Sequence, residues 1–479
     1  MVPILAAAVG IALSVVGLFF ATEAARQRFH GLPSLFPVGA LVVAVLPPFW
    51  QFASSGLETG LTFFWIGFSS WCLVQMDRDA SRWSVATFFT LGLAPLIRPD
   101  LIVVALPLIV VALTKGVSRP VRWQGVFCAG LYVLLPGSIW QVFRMGYYGA
   151  LVPNTYIAKE GLGSRWEQGW LYLLDLVQPY VLLPVVGTAV VLLLYPLLRS
   201  SSQEPNQKPR EYASLVGLLV GGAIHATFVC RAGGDFMHAR LLLPGLFALA
   251  TAFAVVPLFF GRRLRMTFIS VFFLWAAYVC LCARPPYASR ISEHGIADER
   301  QWYVHAARTN RPVTLNDYSY MSFYRIGEGA TQVLRQQGLK AIYWAHIGIT
   351  VAVMPDDIIV IDPLALNDHI GARTELTERG RPGHEKVVPA EWFLARYPVG
   401  VGLVATNQLM GVFRTKAPQS SIDAAQAVLA TPALMELHDA VAEPMNVRRF
   451  IKNIFRAWRL TFLRIPKDPH EALQKFAPK

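Results

Sequence analysis

The sequence predicts an α-helical polytopic membrane protein that carries a soluble α/β domain at its C-terminal end. Three observations predict it. Of 479 residues, 54% are hydrophobic and 15% charged, against roughly 25% charged in an ordinary soluble domain. Apolar runs fill the first 282 residues, and long stretches there hold no charge. From residue 283 onward the chain turns polar and punctuated by turn residues. A soluble enzyme with one buried core is excluded, and so is a disordered chain.

Ten apolar stretches precede residue 283. They are Val2–Thr22, Leu32–Phe52, Leu61–Met76, Trp83–Ile97, Leu101–Thr114, Trp123–Phe143, Trp170–Leu198, Tyr212–Cys230, Leu241–Phe260 and Met266–Cys282. Several reach the ~20 residues that cross ~30 Å of hydrocarbon. The predicted domains are therefore 1–282, with about ten transmembrane helices, and 283–479. The fourth and fifth stretches are short and reach only about 22 Å as helices. The RPD turn between them is expected below the outer surface, where charge is tolerated only against protein or a water-filled cavity.

Loop charge predicts orientation. One alternate set of loops holds Arg26 and Arg28; Arg78 and Arg82; Lys115, Arg119 and Arg122; Arg199, Lys208 and Arg210; Arg262, Arg263 and Arg265. The opposite set holds Arg98; Arg144, Lys159 and Arg165; Arg231 and Arg240. Thirteen against six places the first set in the cytoplasm. The tail then lies outside, on a multi-pass protein of the plasma membrane. A net charge of +13 on a bilayer protein reflects basic cytoplasmic loops rather than nucleic acid, so no nucleic-acid partner is expected.

In the tail, AIYWA (341–345) and DIIVID (357–362) read as strands, and Ser421 to Ala440 as a helix. Residues 447–465 combine Arg448, Arg449, Lys452, Arg456 and Arg459 with Phe450, Ile454, Phe455 and Trp458. Such a helix either lies on an anionic surface, among membrane lipids, or packs on the tail with a solvated basic face. The five cysteines stop at Cys282, so the tail has no disulfide framework. Cys280 and Cys282 point to different sides of a helix and suggest neither a metal nor a redox pair.

The polar clusters among the stretches fall on one predicted side, the outside. They are SSGLETG (54–60), RPD (98–100), MGYYGALVPNTYIAKEG (145–161) and RAGGDFMHARLLLP (231–244). Each has a plain structural reading. Glu58 and Asp235 suit helix caps, and Arg98 suits a pair with Asp100. Asn154, Thr155, Tyr156 and Lys159 suit an interfacial turn beside a belt of Tyr147 and Tyr148. Asp175, at the start of the seventh stretch, faces the same predicted cavity. Together the clusters mix carboxylates with cations, which suits a lipid-phosphate sugar donor. Cations neutralise the leaving phosphate, and a carboxylate takes the proton from the attacking hydroxyl or steadies the oxocarbenium charge. An ion channel would need rings of one sign. Walker, Rossmann, HExxH and CxxC patterns are missing.

SSGLETGL, RPD, YYGALVPNTYIAK and GGDFMHARLLLP, followed by IDPLALNDHIGAR (361–373) and GRPGHEK (380–386), resemble the mycobacterial and corynebacterial terminal β-(1→2)-arabinofuranosyltransferase family. The resemblance spans most of the chain. It implies a C-type membrane glycosyltransferase fold, a decaprenyl-phosphate arabinofuranose donor and an arabinan acceptor of arabinogalactan or lipoarabinomannan. In that family a cytoplasmic N-terminus, a first span and a long outer loop with the acidic residue assigned as base come first. Here Met1 opens directly into Val2–Thr22, so the expectation is that this chain lacks that first span and loop.

The resulting expectation is a polyprenyl-phosphate-dependent arabinofuranosyltransferase at the outer face of the membrane. Asp235, Glu58 and Asp100 take acid or orienting roles, and Arg98, Lys159, His238 and Arg240 contact phosphate and donor. Asn154 gives a hydrogen bond. Asp362, Asn367 and Asp368 either hold acceptor glycan or cap turns. No cofactor and no protein-bound metal is assigned, and a divalent cation requirement stays open. The alternatives are transfer of another sugar such as mannose, a lipid-linked sugar carrier and a non-catalytic scaffold. A carrier would carry internal repeats and midplane charges, and neither is visible.

Overall fold

The computed structural model describes residues 2–477 except 33, 117–122, 162, 200–207, 288–289, 312, 345–346, 398–400, 405–411 and 415–416. Arg119 and Arg122 of the basic loops and the last residue of AIYWA lie outside the described residues. The chain divides into two units. The first holds Met1–Trp140, Ser164–Ala288 and Ile296–Asp298; the second holds Gln141–Gly163, Ser289–Gly295 and Glu299–Lys479.

The apolar part of the chain builds α1 (Val2–Arg28), α2 (Val38–Val45), α3 (Pro47–Ala53), α4 (Thr59–Arg78), α5 (Ala80–Gly92), α6 (Ala94–Ile97) and α7 (Ile102–Gly116). It continues through α8 (Trp123–Tyr148), α9 (Asn154–Ala158), α10 (Trp166–Val177), α11 (Leu182–Arg199), α12 (Lys208–Ala232), α13 (Leu243–Ala252) and α14 (Arg262–Leu281). The boundary between the units falls within α8, and α9 belongs to the second unit.

Among the described residues, four helices are long and apolar enough to cross a membrane, or five if the bent pair α10–α11 counts as one span. They contain Pro3–Arg28, Gln124–Tyr148, Tyr212–Ala232 and Arg262–Leu281. Three of them turn large apolar side chains outward: Leu5 on α1, Phe127 and Leu134 on α8, Leu274 and Leu281 on α14 are each more than 60% exposed. A surface of that kind needs an apolar solvent, and this is a helical membrane protein.

Several of the remaining apolar stretches are shorter or broken for a local reason. Pro47 disfavours helical geometry at Leu46, which sits at φ −73°, ψ 117° and separates α2 from α3. The stretch 241–260 stays helical only to Ala252, after which β2 (Val256–Pro257) pairs antiparallel with β1 (Leu35–Phe36). α10 and α11 meet at 81° across a break that includes Val181 at φ 53°. α4 runs inside the bundle with Thr59, Thr62, Ser69 and Ser70 fully buried.

α1 and α4 approach so closely that glycine faces backbone. A Cβ on Gly60 would strike the Gly10 carbonyl, and one on Gly67 the Gly17 carbonyl. Small residues replace hydrophobic drive in this way where lipid is the solvent. Arg28 Nη2 to Ser70 Oγ at 2.8 Å and Gln75 to Gln27 at 2.9 Å join the same two helices.

The second unit contains a four-stranded sheet in the order β4-β3-β5-β6, where β3 is Ala341–Tyr343, β4 Ile359–Ile361, β5 Val401–Val404 and β6 Val412–Arg414. β3 is parallel to β4 and β5, and β6 closes the edge antiparallel. The two runs expected to be strands are β3 and β4. The helices are α15 (Glu299–Ala306), α16 (Ser322–Gln336), α17 (Ile349–Ala352), α18 (Glu391–Leu394), α19 (Gln419–Leu429), α20 (Pro432–Ala442), α21 (Val447–Phe462) and α22 (Pro469–Phe476). The helix expected from Ser421 to Ala440 is two, because Thr431 turns extended before Pro432, which opens α20 at its first position. Trp392, Phe393, Leu434, Leu437, Leu460 and Ile465 form one core of this unit, and Leu334, Ile342 and Trp344 another.

Candidate active site

In the first unit, three polar clusters that are far apart in sequence meet. Glu58 precedes α4. Pro99 holds Arg98 extended (φ −152°, ψ 133°) and starts a single 3₁₀ turn, Pro99–Leu101, between α6 and α7. That turn folds Asp100 back onto Arg98. Nε donates to Oδ1 at 3.0 Å and Nη2 to Oδ2 at 2.9 Å, a two-pronged contact. His225 of α12 places Nε2 2.9 Å from the same Oδ2. Both oxygens of Asp100 are thus committed.

The network then extends outward. Arg98 Nη1 reaches Glu58 Oε1 at 3.2 Å, and Arg240 Nη2 stands 3.6 Å from that same oxygen. Arg240 Nη1 lies 3.5 Å from Asp235 Oδ2. Opposite charges therefore alternate from Asp100 through Arg98, Glu58 and Arg240 to Asp235. Arg98 and Asp235 are buried, whereas a third of the Glu58 side chain is exposed. The contacts of Arg240 are long for hydrogen bonds, and its buried Nε has no hydrogen-bond partner among the described residues. Arg98 is clamped; Arg240 is not.

The GGD turn explains its own glycines. Gly233 and Gly234 sit at φ 92° and 71°, where side-chained residues are strained, and a Cβ on Gly234 would overlap the Tyr172 ring. The Tyr172 hydroxyl donates to the Met237 carbonyl at 2.8 Å and accepts from Leu241 N at 3.1 Å, so it staples the turn that presents Asp235 and Arg240. His238 N donates to the Ala297 carbonyl at 2.9 Å, and Ala297 N to the Phe236 carbonyl at 2.7 Å.

His238 itself faces inward. Its Nδ1 is 2.6 Å from Asp175 Oδ2 and its Nε2 3.1 Å from the Tyr180 hydroxyl. With the carboxylate accepting from Nδ1–H, Nε2 accepts from Tyr180. Tyr287 also donates to Asp175 Oδ2 at 3.0 Å. Both ring nitrogens of His238 are taken by the protein.

The second unit holds the other expected site residues. Asn154 Nδ2 lies 3.1–3.3 Å from the carbonyls of Ala365, Leu366 and Asp368, so its amide braces the 365–368 turn. The Asp362 carboxylate accepts Leu364 N at 2.9 Å and Leu366 N at 3.0 Å, which caps the same turn. Asp368 accepts from Gly371 N and from Arg396 Nη1 at 2.7 Å. Asn367 is exposed and Lys159 half-buried. Lys386 of the GHEK run is buried, pairs with Glu160 at 2.6 Å and donates to the Ala372 and Thr374 carbonyls.

Sequence reasoning missed His225, because one histidine in an apolar helix reads as packing; its signal was a titratable group in mid-span, which needs a partner. Tyr172, Tyr180 and Tyr287 carried no signal apart from their type.

Residues 294–475 match the AftB family C-terminal domain. The chain is 28% identical to the terminal β-(1→2)-arabinofuranosyltransferase of Mycobacterium tuberculosis, over 92% of this chain and 79% of that protein. It is also 28% identical to the terminal β-(1→2)-arabinofuranosyltransferase of Corynebacterium glutamicum, over 98% of this chain and 75% of that one. No solved structure gives a significant match. The resemblance read from GGDFMHAR and its companion motifs is a family resemblance, carried by the tail as a domain and by nearly the whole chain in these relatives.

Proposed function

We propose that this protein transfers arabinofuranose from a polyprenyl-phosphate donor to cell-wall arabinan at the outer face of the plasma membrane. The names of its relatives support arabinofuranosyl transfer, and an arabinan acceptor is the expectation the family resemblance carries. The donor class and the side of the membrane rest on chemistry and charge. In this reading the apolar stretches make about ten crossings, some of them by broken helices, and the tail from residue 283 is an extracytoplasmic α/β domain. The thirteen-to-six loop asymmetry supports that orientation.

The observation that carries the reaction is Arg240, a guanidinium held by long contacts between Glu58 and Asp235, its Nε without a hydrogen-bond partner among the described residues. Such a group can turn a donor toward a phosphate oxygen while its long contacts to Glu58 and Asp235 hold it in place. In the transfer, the bond from the anomeric carbon to the phosphate oxygen breaks and the phosphate leaves as an anion. A bond to the acceptor hydroxyl oxygen forms, and the hydroxyl proton passes to a carboxylate. Glu58 and Asp235 flank Arg240 and are the candidates for that base. Asp100 and Arg98 lock one another and serve to position Glu58. His238, held by Asp175 and Tyr180, supports the turn rather than the donor. In the second unit, Lys159 and Asn367 are the candidates for sugar contacts, while Asn154, Asp362 and Asp368 shape the turn that carries Asn367.

Membranes supplied with labelled polyprenyl-phosphate arabinose and an arabinan acceptor test the reading. Asp235→Asn should abolish transfer while the protein still inserts into the membrane. Retained transfer removes Asp235 from the reaction. Label that crosses the bilayer without joining an acceptor would make the protein a carrier.

A further inference from the structure

Helix α21 has three faces, not two. At ~100° per residue, Leu460, Asn453, Ala457 and Thr461 fall within one arc of about 100°, and all four are buried. Val447, Ile451, Phe455, Trp458 and Phe462 fall within a second arc of about 80°, and all five are exposed: Phe455 at 82%, Trp458 at 68% and Val447 at 76%. Arg448, Lys452, Arg456 and Arg459 fill the arc between. A helix that merely packed on its domain would turn its aromatic residues inward. This one turns Leu460, Phe450 and small or polar residues inward, yet leaves Phe455, Trp458 and Phe462 outside.

Its anchorage gives the depth. The Phe450 ring covers Gly146 in the last turn of α8. Asn453 Nδ2 donates to the Gly146 carbonyl at 2.9 Å, and Leu151 N donates to Thr461 Oγ1 at 2.8 Å. All of these residues lie in the second unit. α8 is one of the four helices long and apolar enough to cross a membrane, and its end carries the exposed tyrosines Tyr147 and Tyr148, the residue type that marks a membrane–water boundary. α21 is thus fastened where a span leaves the hydrocarbon.

We infer that α21 is a membrane-surface helix whose Val447, Ile451, Phe455, Trp458 and Phe462 enter the headgroup–acyl boundary of an anionic bilayer, with Arg448, Lys452, Arg456 and Arg459 against the lipid phosphates. The charge favours lipid over a protein groove. Glu436 pairs with Arg456 at 2.7 Å and with Arg459, which still leaves the face strongly basic. Arg448 and Lys452 make no ion pair among the described residues. The inference rests on the reading of α8 as a span.

The full chain, carrying a benzophenone amino acid at Phe455 and reconstituted in vesicles, tests this. In equal parts phosphatidylcholine and phosphatidylglycerol, the probe at 455 should give lipid adducts several-fold above a probe at Glu443, and the yield should fall in phosphatidylcholine alone. Position 455 is exposed, so the probe does not disturb the core. A probe at Leu134 of α8 is the reference. Lipid adducts at 134 but none at 455, or adducts from 455 to protein, overturn the inference and leave the span intact. No lipid adduct at either position overturns the span and the inference with it. Equal yield at 455 in the two vesicles overturns the anionic preference.

Discussion

Arg98 grips Asp100 with two parallel hydrogen bonds, at 3.0 and 2.9 Å, across a turn of only one intervening residue. Pro99 makes the geometry possible, and the helices on either side bury it. A pair of this kind is costly to break from one side, because the surviving charge stays buried without its partner.

Asp100→Ala should therefore destabilise the protein by about 3–5 kcal/mol, read as a lower unfolding temperature in detergent. Arg98→Ala should do likewise. The double variant should lose much less than the sum, since neither charge is left alone. Additive losses would mean that the two side chains do not depend on each other.

Gly234→Ala places a methyl group against the Tyr172 ring at a backbone angle of φ 71°. The turn must open or Tyr172 must leave its contacts with Met237 and Leu241. A loss of about 1–3 kcal/mol is expected, together with a fall in transfer larger than that loss of folded protein explains. Gly187→Ala, where nothing lies within 4 Å, should leave both unchanged. Equal behaviour of the two variants would remove the steric argument.

Gly67→Leu tests the close approach of α1 and α4. Its side chain would have to displace the Gly17 carbonyl, and backbone cannot swing aside as a side chain can. The cost should exceed ~3 kcal/mol, at the upper end of overpacking effects. Gly130→Leu on α8, which has open space around it, is the matched control. Thermal unfolding of both variants in one detergent measures the difference.

The charged residues of the site were legible because charge in an apolar chain stands out. Glu58, Arg98, Asp100, Asp235 and Arg240 were all visible as interruptions, and the fold brings these five into one network. Asn154 and His238 looked equally promising, yet both are spent on internal hydrogen bonds; a sequence shows a polar group but not what satisfies it. Helix length was the weaker reading. The run from Leu241 to Phe260 is apolar throughout, but helix ends at Ala252 and the next residues pair with Leu35 and Phe36. Hydropathy reports burial and carries no account of which backbone groups find which partners. The strands near 341 and 359 were legible because short runs of aromatic and β-branched residues between turn residues leave few alternatives.

His369 gives the second unit a definite response to acid. Burial pushes its pKa down to about 4, and the nearby guanidinium groups of Arg396 and Arg373 push the same way against the Asp368 carboxylate. Its Nε2 is buried without a hydrogen-bond partner among the described residues, which suits a neutral ring. In the unfolded chain the same imidazole titrates near 6.5. Between about pH 6.5 and 4 the unfolded state therefore binds a proton that the folded state does not, so stability must fall as the pH falls through that window. Above the window the ring is neutral in both states and below it charged in both, and the contribution is flat. Hydrogen exchange of residues 361–373 in the full chain, corrected for intrinsic rates, should show protection lost between pH 6.5 and 4. His369→Gln should remove that component of the loss. An identical pH profile in the variant would mean that another group sets the response.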